Sequence, residues 1–156
     1  MKYVVSACLA GVACRYDGGG APHPLVMALA RANAALPVCP EVLGGLGVPR
    51  TPCELVGGRA LTADGRDCDG AYRKGAAEAL RLARAAGCTH AVLKARSPSC
   101  GVGCVYDGTF THTRTAGDGV FAALLREAGF ILMTEEELPS TGKVPVNDVL
   151  PCVIDV

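Results

Sequence analysis

The chain has 156 residues, half of them apolar and only 4% aromatic, and carries 15 basic against 15 acidic side chains. That length fits one domain of ordinary size with a real core, which must be aliphatic, built from Ala, Val and Leu. Balanced charge excludes the footprint of a duplex nucleic acid partner and a membrane-surface stripe, and no apolar run is long enough to cross a bilayer.

Residues 2–7 read as a buried strand, 23–34 as a short Ala-rich helix, and 35–39 as a second strand entered through Pro37. Residues 40–68 are rich in Gly and Pro, with a hairpin expected around Glu54–Leu61 turning at Gly57-Gly58. Residues 69–86 hold strong helix formers with Tyr72, Ala76, Ala79, Leu80 and Ala83 at helical spacing. Asp69 is placed to cap that helix and Gly87 to stop it. A third strand is expected over 89–95, then a hairpin over Val105–Thr111 turning at Asp107-Gly108. A helix over 118–128, a fourth strand over 130–134 and a surface tail over 135–156, punctuated by Pro139, Pro145 and Pro151, complete the chain. Alternating strands and helices with right-handed crossovers predict a single α/β domain, a small Rossmann-like parallel sheet with helices on both faces.

Met1-Lys2 leads straight into the first strand with no signal-peptide pattern, so a cytoplasmic protein is expected. Nine cysteines need explaining there, because a reducing compartment keeps no structural disulfides and the number is odd. Cys88 and Cys152 read as packing residues. Three others stand apart. Cys8, Cys39 and Cys100 each follow a strand-like run, at the carboxyl ends where parallel α/β sheets open their ligand crevice. Three thiolates at one mouth point to a metal or cluster site.

Each of these cysteines lies in a segment with further chemistry. Ser6-Ala7-Cys8-Leu9-Ala10-Gly11 runs on to Cys14-Arg15-Tyr16-Asp17-Gly18-Gly19, small residues and glycines that let backbone approach a ligand; the ordinary alternative is a strand-to-turn segment with a packed thiol. Cys8 and Cys14 lack the spacing of a zinc knuckle. Cys39-Pro40-Glu41 sets a carboxylate two residues past a thiol, a candidate general acid/base, against the plainer reading of a Glu favoured by a helix N-terminus. Lys94-Ala95-Arg96-Ser97-Pro98-Ser99-Cys100-Gly101 offers two hydroxyls and backbone N–H groups, and Ser97 or Ser99 is a candidate hydrogen-bond donor to a ligand or water; an ordinary Ser-Pro turn is the alternative. Cys53, Cys104, His23 and His90 read as structural, His112 as a surface residue, and the Gly-x-Gly pairs at 101–103 and 117–119 are too short to claim a dinucleotide.

Together SACLAG, RYDGG, CPEVLGGLGVPRTPCE, LKARSPSCG and VYDGTF, in this order, resemble the small bacterial family that contains thiouracil desulfidase, from about residue 3 to about Glu135. The resemblance implies a 4Fe-4S cluster held by Cys8, Cys39 and Cys100, with one iron open to bind the sulfur of a thiolated pyrimidine. It further implies Glu41 and Ser97 as the catalytic pair in a hydrolytic desulfuration without net redox change. Arg15, Asp17, Arg50 and Lys94 are candidate contacts to substrate edges or a phosphate, with loop-bracing salt bridges as the alternative. The surplus thiols Cys14, Cys53 and Cys104 depart from the expected pattern, and a fourth thiolate ligand would close the open iron. Two other readings stand beside this one: a zinc- or cluster-stabilised binding module without catalysis, and a hydrolase or transferase using Cys39 or Cys100 as nucleophile with Glu41 as base.

Overall fold

The computed structural model describes residues 1–139. Its centre is a four-stranded sheet assembled from β1 (Tyr3–Ser6), β2 (Ala35–Val38), β5 (His90–Leu93) and β8 (Ile131–Thr134). All neighbours pair in parallel in the order β2-β1-β5-β8. The chain therefore steps from β1 to one side, then crosses to the other, and the order reverses at β1. Open α/β sheets bind ligands at such a point, outside the carboxyl ends of the strands.

Period-two alternation sorts the strand side chains onto two faces. Val4, Ala91 and Leu93 pack with the buried stripes of α3 (Asp69–Ala85) and α4 (Val120–Glu127). Tyr3, Val5 and Val92 pack with Leu25, Val26 and Leu29 of α1 (Pro24–Arg31). Helices thus cover both faces, as the alternating pattern requires. Pro24 stands at the first turn of α1, and His23 caps it through Nδ1, which accepts from Leu25 N at 3.3 Å.

The remaining elements are small. α2 (Pro40–Leu43) follows β2 directly, and β3 (Cys53–Val56) pairs antiparallel with β4 (Arg59–Thr62). Their turn is the expected Gly57-Gly58, both at positive φ. β6 (Cys104–Tyr106) and β7 (Arg114–Ala116) form a second hairpin. A single turn of 3-10 helix, Ala7–Ala10, carries Cys8, and another spans Glu135–Glu137. Among the described residues no helix is long and apolar enough to cross a membrane.

Three local expectations change. Asp69 does not cap α3: its buried carboxylate accepts from Ala60 N and pairs with Arg73, while Asp67 Oδ1 receives the Asp69 N–H. The second hairpin does not turn tightly at Asp107-Gly108. Asp107 instead accepts from Thr109 N and Oγ1, and the Gly108 and Phe110 amides go to the Glu54 carboxylate. Those amides are lost to any ladder, so pairing resumes only at Arg114. The third change is at the start of the expected surface tail, which is anchored: Leu138 is buried and Glu135 binds Lys94 Nζ and Ala95 N. Cys88 is buried in the core as expected, whereas Cys152 and the tail beyond residue 139 lie outside the described residues.

Candidate active site

The strand ends release three loops into one cavity of about 400 Å³, a size suited to a small molecule. Cys8 enters from the turn after β1, Cys39 from the end of β2, and Cys100 from the loop after β5, and all three line this cavity. Glu41, Ser97, Arg15, Arg50 and Lys94 line it too. Asp17 and Ser99 do not. Asp17 is exposed and folds back to accept from Gly19 N at 2.9 Å. Ser99 is fully buried beneath the loop, where its carbonyl receives Phe121 N and Ala122 N at the start of α4.

Gly119 explains how that loop is held so close. A Cβ there would lie 2.5 Å from the Ser99 carbonyl, so only glycine allows α4 to begin against residues 98–99. Ser97 completes the turn, its Oγ accepting from Ser99 N and Cys100 N, both at 3.1 Å. The hydroxyl therefore fixes the backbone that presents the Cys100 thiol.

Cys8 and Cys100 are buried and Cys39 is half-buried. Burial pushes the Cys8 thiol up to about 11, with the neighbouring Cys39 raising it and Lys94 and Arg15 partly opposing. Cys100 lies well above the ordinary thiol range, again through burial first, with Cys8, Glu41 and Cys39 adding to the rise against the opposing Ser6 hydrogen bond. All three border the same cavity, so they surround one space. A cationic iron centre reverses this balance and converts such thiols to thiolates. Among the described residues no three His, Cys, Asp or Glu side chains are gathered tightly enough for a single metal ion. A four-iron cluster does not require that, because each thiolate binds its own iron at a separate corner. The donor set fits the cluster that the resemblance implies.

Glu41 stands in the first turn of α2, two residues past Cys39. Arg50 Nη2 reaches its Oε2 at 3.4 Å, and the Tyr72 hydroxyl donates to Oε1. Arg50 also donates to Cys14 O at 2.9 Å and Gly47 O at 3.1 Å, so it ties the loops after β1 and β2 together. Lys94 pairs with Glu135 at 2.7 Å, and Arg96 with Glu136 at 2.6 Å. Arg15 meets its partner Asp17 only at 4.0 Å, which leaves it the least engaged of these cations.

Some residues of the site escaped the sequence reading. Tyr72 shows as a core position in helical periodicity, which carries no information on where its hydroxyl ends. Cys53 opens β3 rather than lying in a loop, and it lines the cavity; burial and the neighbouring Cys68 push its thiol up to about 12. Cys14 also lines the cavity, and Cys104 does not. His112, expected on the surface, is exposed but contributes to the cavity wall beside Phe110 and Tyr106, its ring edge-on to Tyr106 at 6.1 Å. Three aromatic rings and a His at one mouth are a notable concentration in a chain with only three Phe and four Tyr.

Comparison with known proteins identifies the family. Over residues 3–137 the sequence matches the model of the 2-thiouracil desulfurase family. It is 40% identical over 145 residues to the uncharacterized protein YbbK of Bacillus subtilis strain 168, covering 86% of this chain and 96% of that one. Among solved structures it resembles the 4Fe-4S-dependent thiouracil desulfidase TudS (DUF523Vcz), with a TM-score of 0.84, 43% identity, and coverage of 88% of this chain and 93% of the other. The match spans every strand of the sheet and all three loops that meet at the cavity, and on that basis the chain belongs to the 2-thiouracil desulfurase family.

Proposed function

We propose that this protein is a cluster-dependent desulfidase that replaces the exocyclic sulfur of a thiolated pyrimidine with oxygen from water. The substrate is a thiouracil-like base, nucleoside or nucleotide, and the products are the oxo-pyrimidine and sulfide. Cys8, Cys39 and Cys100 are the residues that would hold a 4Fe-4S cluster with one iron left free of protein ligands. Such a centre supplies Lewis acidity toward a thiocarbonyl sulfur and makes the ring carbon a better electrophile.

The chain's own groups do the remainder. Glu41 takes a proton from the attacking water and returns one later, within a carboxylate held on both oxygens by Arg50 and Tyr72. Ser97 hydrogen-bonds the ring or the water from the rim of the Cys100 loop. Arg15, weakly paired, is free to meet a substrate edge, while Arg50 and Lys94 act mainly as braces for Glu41 and for the loop after β5. Phe110, Tyr106 and His112 offer flat surface to a heteroaromatic ring at the entrance. All eight cysteines among the described residues are free, which suits a reducing cytoplasm.

The observation that carries this reading is the meeting of Cys8, Cys39 and Cys100, from three adjacent strands, with the Glu41 carboxylate in a single cavity. Anaerobically purified protein should be brown and contain about four irons and four acid-labile sulfides per chain. Replacing Cys8, Cys39 or Cys100 by Ser should remove the colour, and Cys14→Ser should keep it. Glu41→Ala should keep the iron and lose sulfide release from 2-thiouracil or 4-thiouridine. Colourless protein after anaerobic reconstitution would overturn the proposal and return the site to a thiol-based hydrolase or a plain binding module.

A further inference from the structure

Glu41 sits on a helix of a single turn, which by itself gives little rigidity. Its support comes from a different element. α2 lies on α3 with backbone touching backbone: a Cβ on Gly75 would stand 1.7 Å from Pro40 O, and one on Gly44 would stand 2.0 Å from Ala71 O. Neither position admits any side chain. The contact places the first turn of α3, and Tyr72 with it, directly against the residues that flank Glu41.

Tyr72 is 1% exposed, and its ring belongs to the core between α3 and the sheet. Its hydroxyl leaves that core to reach Glu41 Oε1, on the side of the carboxylate opposite Arg50. Burial, and then the charge of Glu41, keep this phenol well above its ordinary range, so it remains a donor at every working pH. A carboxylate held from two sides by a buried phenol and a buried guanidinium has one orientation. Only 16% of the Glu41 side chain remains exposed.

We infer that Tyr72 is the positioning residue of the reaction: its hydroxyl, carried to the site by the Gly44–Gly75 contact, aims the Glu41 carboxylate at the water it activates. The inference rests on the desulfidase reading, since it assigns a task to Glu41 within it. Tyr72 touches no reacting atom. It acts through Glu41, and a misdirected general base loses rate without losing substrate affinity.

The test uses cluster-loaded full-length protein and thiouracil turnover. Tyr72→Phe fills the same core volume, so iron content should match the parent and Tm should fall by only a few degrees, the cost of one buried hydrogen bond. Its kcat should fall about 10- to 100-fold, with KM within about twofold. Site-specific 3-fluorotyrosine at position 72 retains the hydroxyl and should keep kcat within about threefold of the parent. Added to Glu41→Gln, Tyr72→Phe should cost nothing more, because its effect passes through the missing carboxylate. A crystal structure of loaded Tyr72→Phe should show the Glu41 carboxylate turned from its present place. Parent-like kcat in Tyr72→Phe beside an inactive Glu41→Gln would overturn this inference alone, as would a rise in KM without a fall in kcat, or a slow variant with an unmoved carboxylate. Parent-like turnover in Glu41→Gln would remove the catalytic assignment and this inference with it.

Discussion

The two walls of the cavity are built by opposite means. The Glu41 wall is bonded into the interior: α2 rests on α3 through paired glycines, and Arg50 and Tyr72 hold the carboxylate from both sides. The aromatic wall hangs from a hairpin whose strand β7 is wholly exposed, with Phe110 and His112 at positive φ. It is anchored through the Glu54 carboxylate, which receives the Gly108 and Phe110 amides at 3.0 and 3.2 Å, and through the buried Val105. The contrast teaches a division of labour. Groups that move protons need fixed geometry, while groups that frame a ring need only surface and can vary with the ligand.

The largest effect should come from breaking the rigid wall at its contact. Gly75→Ala sets a methyl inside the Pro40 carbonyl, so α2 must leave α3, and the gain in helix propensity is far too small to compensate. Loss of about 3 kcal/mol is expected, visible as a Tm lower by roughly 10 °C, together with most of the turnover. A variant with parent-like Tm and kcat would show that the walls do not differ as described. Glu54→Ala, on the aromatic wall, should be milder and of another kind. Freeing two amides costs about 1–3 kcal/mol, and KM should rise several-fold while kcat stays within about twofold. A fall in kcat with KM unchanged would move the hairpin into the catalytic machinery.

The smallest effect lies away from both walls and calibrates them. His90 is buried at the start of β5 against Tyr3, and burial, helped by the Lys2 ammonium, holds its imidazole below the ordinary range. A depressed folded pKa means the unfolded chain binds the proton first. Its contribution is therefore present above about pH 6.5 and lost as the pH falls below that toward the folded value. His90→Val should flatten the decline of Tm between pH 7.5 and 5.5 without altering KM or kcat at pH 7.5. An unchanged pH slope would refute the assignment.

Much of this was readable in the chain of letters, for identifiable reasons. Strands β1, β2, β5 and β8 show because each is a short run dominated by apolar residues, and α3 shows through the period of Tyr72, Ala76, Ala79 and Ala83. Cys8, Cys39 and Cys100 follow from strand ends, since parallel register brings those ends together. What escaped depends on reach across the fold. α2 is too short to leave a period. The carboxylates of Asp69 and Glu54 serve amides nine and more than fifty residues away, so local turn chemistry misassigns both regions. Asp17 and Ser99 sit in motifs of the right kind but face the wrong way, one outward and one inward, which adjacency in sequence does not reveal.

Ser97 has a consequence for what can dock beside it. A hydroxyl oxygen has two lone pairs and one proton, and here both lone pairs already answer the amides of residues 99 and 100. Only the proton is left to point into the open space. Whatever occupies that spot must bring electron density of its own: a thione, an oxo group, a bare ring nitrogen or a water turned oxygen-first. On the proposed function, a heterocycle presenting an N–H there would find no acceptor on Ser97, and this one turn would discriminate between tautomers of the same base.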